Sequence, residues 1–221
     1  MIVMPEINLL KNYPQTKRCP TERQAQKTPE IQRIARQFGQ EFFDGDRLYG
    51  YGGYSYHSRF WQPVVPTFQK HYGLTAGSRI LDVGCAKGFM LYDFIKLIPG
   101  IEVRGIDISS YAIENALPAV QPHLSVANAK KLPFADHSFD LVISINTVHN
   151  LPLAECKQAI AEIQRVTKKN AFLTVDAYRN NEEKALMDMW NLTAQTYMPV
   201  DQWIELFHEV GYQGDYFWFI P

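Results

Sequence analysis

Cysteine is scarce in this chain, and Cys19, Cys85 and Cys156 stand far apart. They show neither the paired spacing of a structural metal site nor a disulfide framework. Cytoplasm is therefore the expected location. Nowhere do about 18 apolar residues run together, which argues against a membrane-spanning helix, and the N-terminus lacks an apolar core of signal-peptide length. Neither sign of charge is in excess. The 22 Lys and Arg against 23 Asp and Glu leave a net charge of −1, so bulk electrostatics gives no reason to expect nucleic acid as a partner. Internal repeats and low-complexity tracts are absent too. What is there is an ordinary globular composition, 46% hydrophobic and 20% charged over 221 residues. That length supports one well-buried core and falls short of two sizeable domains.

The informative stretch is residues 79–91, R-I-L-D-V-G-C-A-K-G-F-M-L. A short apolar run at residues 80–83 suits a strand buried on both faces. Small residues at Gly84, Ala86 and Gly88 make a turn, and Phe89, Met90, Leu91, Phe94, Ile95 and Ile98 then recur at helical spacing. Strand, turn and helix form the opening unit of a nucleotide-binding α/β sheet, with unpaired N–H groups at the helix start. A dinucleotide site wants glycine at positions 84, 86 and 89, but the chain has Ala86 and Phe89 at the last two. Asp82, two residues before the turn, would repel a pyrophosphate and attract a cation. S-adenosylmethionine is the nucleoside ligand with positive charge and no phosphate.

I-L-D-V-G-C-A-K-G closely resembles the D-x-G-x-G-x-G motif of class I S-adenosylmethionine-dependent methyltransferases, with Ala86 in place of the middle glycine. The block N-A-K-K-L-P-F-A-D-H-S-F-D, residues 128–140, resembles a signature of small-molecule methyltransferases related to quinone-biosynthesis enzymes. The resemblance covers about residues 74–180. It implies a Rossmann-like, doubly wound, mostly parallel α/β sheet of six or seven strands with helices on both faces. It also implies S-adenosyl-L-methionine as cofactor, S-adenosyl-L-homocysteine as product and an adenine contact at residue 128. In the family that contact is an acid. Here it is Asn128, whose amide oxygen can still accept from an amine.

Along the chain, residues 1–28 read as a loosely held basic arm containing Lys11, Lys17, Arg18, Arg23 and Lys27, with ordering over the active site as the alternative. Thr28-Pro29 suits a helix start, and Ile31, Ile34, Ala35, Phe38 and Phe42 form an apolar stripe that predicts one helix ending near Asp44-Gly45. Residues 47–61 hold four tyrosines, three glycines, two arginines and a histidine without any period. They read as a lid or acceptor-binding loop, with a rigid aromatic turn as the alternative. Residues 29–73 are thus a helix plus lid, and 74–221 the cofactor-binding domain, in a single globular unit spanning 29–221. The sheet is six-stranded, or seven if residues 193–198 form a strand. The family closes its sheet with an antiparallel pair, whereas only one convincing strand, residues 215–220, follows the last helix here.

Asp107 closes the second strand, where an acid reaches ribose hydroxyls; capping the next helix, shared with Ser109, is the alternative. The expected cofactor-binding set is Asp82, Gly84, Cys85, Ala86, Gly88, Asp107, Ile108, Asn128, Ala129 and Asn146. Asn146 and His149 follow the fourth strand, at the crevice where strands end, and form the candidate catalytic pair. His149 reads as a base, a hydroxyl-binding group or a packing histidine. Tyr54, Tyr56, Arg59, Tyr178 and Arg179 are the candidate acceptor contacts, the arginines as an anion clamp. No convincing metal-ligand set is present. The expected function is methyl transfer to a small polar or anionic acceptor: a sugar derivative, a hydroxylated natural product or an amino-acid derivative. O-methylation is favoured over N-methylation, by a monomer or homodimer with no nucleic-acid or membrane partner. A non-catalytic S-adenosylmethionine-binding partner subunit and an NAD-dependent oxidoreductase are the alternatives.

Overall fold

The computed structural model describes residues 5–15 and 19–221; Lys17 and Arg18 of the basic arm lie outside the described residues. Its seven-stranded sheet runs β3 (Leu124–Val126), β2 (Glu102–Asp107), β1 (Arg79–Val83), β4 (Phe139–Ile145), β5 (Thr167–Tyr178). On the far side of β5 lie β6 (Met198–Pro199) and β7 (Asp215–Phe219). Chain order reverses between β1 and β4. Side chains in β1 alternate between two cores, as a strand buried on both faces requires. Ile80 joins Phe68 of α5 (Val65–Tyr72) with Leu91 and Phe94 of α6 (Phe89–Leu97). Leu81 and Val83 join Ile160 and Ile163 of α8 (Leu153–Val166) with Trp203 and Phe207 of α10 (Val200–Glu209). The sheet is doubly wound.

Every pairing of named strands among the described residues is parallel, so the antiparallel closure implied by the resemblance is absent. β7 pairs with β5 in register Phe172↔Asp215 to Asp176↔Phe219, both indices rising together. The connection explains it. A parallel neighbour needs a crossover, and α9 (Asn181–Trp190) and α10 intervene between β5 and β7. Residues 193–198 contribute little to the sheet, since β6 is only two residues long.

Two further expectations are corrected at the N-terminal end. The described residues of the arm are packed rather than loose. Leu9 is buried at 2% exposure, Ile7 N–H donates to the Tyr216 carbonyl at 2.8 Å, and α1 (Pro20–Gln26) packs on α9. Lys27 Nζ donates to the carbonyls of Asp188, Met189 and Asn191, which closes the C-terminal end of α9. The apolar stripe after Thr28 is split in two. Thr28 Oγ1 accepts from Ile31 N–H as expected, but α2 (Pro29–Ala35) stops short, and Phe38 adopts φ 50° before α3 (Gln40–Asp44) begins. The Phe38 carbonyl accepts the Ser109 hydroxyl, a tertiary contact that bends the chain onto the end of β2.

Docking of the arm gives a direct test. Leu9→Ala removes a fully buried side chain and is expected to cost about 2–4 kcal/mol in urea denaturation. A loss below about 0.5 kcal/mol, the range of surface substitutions, would mean that the arm does not pack in solution.

Candidate active site at the carboxyl ends of β1, β2 and β4

The turn after β1 is fixed by the backbone of β2. Gly84 and Cys85 both donate their N–H to the Ile106 carbonyl, at 2.8 and 3.0 Å. The Ala86 N–H donates to Asp107 Oδ2 at 2.8 Å. Gly84 sits at φ 86°, where a Cβ would lie 2.1 Å from Thr147 Oγ1, so no side chain fits there. Ala86 holds φ 50°, a left-handed conformation costly for a residue with a Cβ. The middle-glycine position therefore still makes the glycine's turn. Cys85 turns its thiol into the core beside Leu91, and burial pushes that thiol well above its ordinary pKa. Only its backbone borders the site.

Two carboxylates lie at the ends of adjacent strands. Asp82 and Asp107 are 6% and 8% exposed. Asp107 accepts the N–H of Ala86 on one oxygen and of Ser109, at 2.9 Å, on the other. Carboxylate oxygens have more acceptor sites than these donors fill. Ser109 Oγ, not Asp107, accepts from Ala112 N–H and so caps α7 (Ser110–Glu114), which leaves Asp107 at the crevice. Burial, and then the neighbouring Asp107, push the Asp82 carboxyl up to about 7. Burial raises Asp107 as well, opposed by three backbone N–H donors. Among the described residues no cation faces either acid. Two nearly buried acids without a counterion suit a ligand that brings its own positive charge.

The remaining cofactor candidates line the same rim. Ile108, 55% exposed, offers an apolar surface next to Asp107. Asn128 Oδ1 accepts Lys130 N–H at 3.0 Å and retains a lone pair, with half-buried Ala129 packed behind it. Asn146 ends β4 at φ 52°. Its N–H donates to Thr174 Oγ1 at 2.9 Å, and its Oδ1 accepts from the Thr174 hydroxyl at 2.8 Å. A non-glycine residue held at positive φ by two bonds to one threonine is an over-determined, strained position. Its side-chain amide is thereby oriented at the strand end.

The geometry of His149 bears on its three expected roles. Its Nδ1 accepts the Asp176 N–H at 2.9 Å, which places the ring proton on Nε2, and the ring is 3% exposed. Burial lowers its pKa, with Asp176 opposing. A neutral imidazole with one nitrogen committed and the other protonated has no lone pair free to take an acceptor's proton. In this tautomer His149 lacks the lone pair of a base, ties the β4 end to β5 through Nδ1, and keeps an Nε2–H that can donate. Among the described residues no group of three or more His, Cys, Asp and Glu could hold a metal ion.

The expected acceptor contacts divide. Tyr54 stacks on Phe89 at 4.9 Å, over the cofactor turn. Tyr56 instead donates its hydroxyl to buried Asp93 of α6 at 2.7 Å. Arg59 sits on α4 (Ser58–Trp61), which packs against α6, with its guanidinium 4.7 Å from the Phe60 ring. Arg179 pairs with Glu6 at 3.1 Å and Glu183 at 3.6 Å, and Tyr178 faces Lys184. The two arginines therefore do not form an anion clamp. What sequence reasoning missed is Lys87 inside the motif. Its Nζ lies 2.6 Å from Asp44 and 2.9 Å from the Tyr54 carbonyl. Asp44 also accepts the Tyr111 hydroxyl at 2.7 Å and the Tyr54 N–H at 3.0 Å. This pair, a buried lysine with a more exposed aspartate, binds the lid to the cofactor turn. Nothing in the local pattern of Lys87 or Asp44 announced it.

Residues 81–175 match the family model of the methyltransferase domain. Over those residues the chain is similar to a methyltransferase domain. An uncharacterized protein of Haemophilus influenzae is 31% identical over 154 residues, covering 64% of this chain and 61% of its own. A malonyl-[acyl-carrier protein] O-methyltransferase of Legionella pneumophila is 29% identical over 140 residues, covering 62% of this chain and 48% of its own. The chain thus spans about half the length of the curated relatives it matches. A Haemonchus contortus phosphoethanolamine N-methyltransferase, solved with S-adenosylhomocysteine, shares the fold at a TM-score of 0.58 and 18% identity over 80% of this chain and 44% of that one.

The residues of this methyltransferase domain fit S-adenosylmethionine. Asp82 and Asp107 have no counterion among the described residues, and the turn before α6 has no glycine at position 89 for a pyrophosphate. The pH dependence follows from Asp82. Its folded pKa is raised above the unfolded value near 3.9, so its ionisation costs the ligand-free fold stability as pH rises through about 7. A bound cation favours the ionised form. S-adenosylmethionine affinity is therefore expected to rise between about pH 6 and about pH 8 by titration calorimetry. Asp82→Asn is expected to flatten that profile. An unchanged slope in the variant would remove Asp82 from the site.

Proposed function

We propose that the protein transfers a methyl group from S-adenosylmethionine to an oxygen of a small polar or anionic acceptor. The observation that carries this reading is the pair of buried, counterion-free carboxylates, Asp82 and Asp107, at the ends of neighbouring parallel strands. When bound, S-adenosylmethionine supplies an electrophilic methyl on a sulfonium, with a neutral thioether as leaving group. The chain's own work is alignment. Asp107 holds ribose hydroxyls with the lone pairs its backbone donors leave free. Asp82 balances the ligand's positive charge, Ile108 and Asn128 border the adenine, and Asn146 presents an oriented amide at the crevice. Tyr54 and the Lys87–Asp44 pair cover the turn and keep water from it.

The state of His149 sharpens the acceptor. With no free lone pair on that ring, the chain offers no evident base at the β4 end. An acceptor oxygen already ionised near neutral pH, such as a carboxylate or an acidic enol or phenol, needs none. That argument favours oxygen over an ammonium nitrogen, which would have to lose a proton first. The Legionella relative's name, an O-methyltransferase, points the same way.

The test is S-adenosylhomocysteine release from S-adenosylmethionine in the presence of matched carboxylates, hydroxylated aromatics and their amino analogues. Turnover of at least one oxygen acceptor is expected, with Asn146→Ala lowering kcat about tenfold or more. Cofactor binding without turnover of any acceptor would favour the non-catalytic partner subunit instead.

A further inference from the structure

We propose that the acceptor lies in a cavity of about 730 Å3 beside the crevice, where Arg36 grips an oxyanion group carried by that molecule. This assignment rests on the methyltransferase reading. The cavity is walled by the N-terminal helices on one side, through Lys27, Gln32 and Arg36, and by α9 and residues 191–197 on the other, through Asp188, Gln195 and Tyr197. Its volume is that of a small-ligand site.

Three contacts place it next to the chemistry. Gln195 and Thr196 donate their N–H groups to the His149 carbonyl at 3.0 and 2.9 Å. Gln195 Nε2 donates to the Asn150 carbonyl at 2.7 Å. That wall is therefore fastened to the turn after β4, beside Asn146. On the opposite side, Arg36 stands two residues before Phe38, whose carbonyl accepts the Ser109 hydroxyl at the end of β2. The cavity thus adjoins the rim formed by β2 and β4.

The charges select its ligand. Arg36 is exposed and donates only Nε, to the Thr193 carbonyl at 3.2 Å. Its two Nη groups have no partner among the described residues, and a guanidinium fork matches carboxylate or phosphate. Lys27 spends its hydrogens on three carbonyls and has no carboxylate within ion-pair distance among the described residues, so its charge adds to the field. The carboxylate in the wall, Asp188, is already answered by Lys184 at 2.7 Å and the Tyr197 hydroxyl at 2.9 Å. Side-chain amides of Gln32 and Gln195 supply polar contacts that suit a hydroxylated or acylated molecule. Neither Arg59 nor Arg179 faces this space.

The test uses the whole chain saturated with S-adenosylhomocysteine, titrated calorimetrically with malonate and separately with inorganic phosphate. Binding of at least one is expected, and which one distinguishes a carboxylate from a phosphate group. Arg36→Gln is expected to weaken it at least about tenfold. Arg36→Lys should restore part of the loss, since it keeps the charge without the fork, and Arg59→Gln should leave binding unchanged. Arg36 is exposed at a helix end, so unchanged thermal melting of its variants checks the fold. Absence of binding by both anions, or equal binding by Arg36→Gln, overturns the cavity assignment. S-adenosylhomocysteine titrated alone separates the two claims. If the wild-type chain fails to bind it, the methyltransferase reading falls and this assignment with it. If it binds and anion affinity ignores Arg36, only the cavity assignment falls.

Discussion

The site depends on how the end of β2 holds the turn after β1. The Ile106 carbonyl takes two N–H groups from that turn and Asp107 takes a third. These bonds hold Gly84 and Ala86 in left-handed conformations and aim the start of α6 at the crevice. They also orient Asp107 without neutralising it, because backbone donors carry no net charge. Asp82 then sits beside a second buried acid, which is why its carboxyl is pushed up. Strand pairing, turn geometry and electrostatics are one constraint here. A ligand with positive charge and ribose hydroxyls relieves it.

A second layer rests on that turn. Lys87, itself buried, projects from the motif into a pair with the more exposed Asp44, and Asp44 gathers the Tyr111 hydroxyl and Tyr54 N–H as well. The phenyl and phenol rings of Phe43, Tyr51, Tyr54 and Phe89 stack upon one another above it. A buried cation is tolerated only when its partners are complete. The lid is therefore keyed to this turn rather than lying on it by hydrophobic contact alone.

Much of this was legible in the sequence. The apolar run at 80–83, the small-residue turn and the helical spacing after Phe89 are local patterns, and the structure places a strand, a turn and a helix there. The place of Asp107 at the end of the second strand was legible from the strand pattern before it. What failed was non-local. Phe38 interrupts a continuous apolar stripe because the distant Ser109 hydroxyl claims its carbonyl. The direction of β7 depends on the path of α9 and α10, which no run of residues records. Arg59 and Arg179 look like free cations in a sequence, yet one lies over Phe60 and the other is taken by Glu6 and Glu183. His149 looked like a base until the Asp176 amide was seen on its Nδ1. Arg36 and Lys27 went unremarked as site residues for the opposite reason: nothing local marks a wall.

The central claim is that two buried acids without counterions make a nucleoside site for a cation and not for a pyrophosphate. Calorimetric titration of the intact chain with S-adenosylhomocysteine, with NAD as the parallel ligand, tests it most directly. Micromolar affinity for the first and no heat from the second is the predicted result. NAD binding, or silence from both, would contradict the reading of Asp82 and Asp107 and the site assignments built on it.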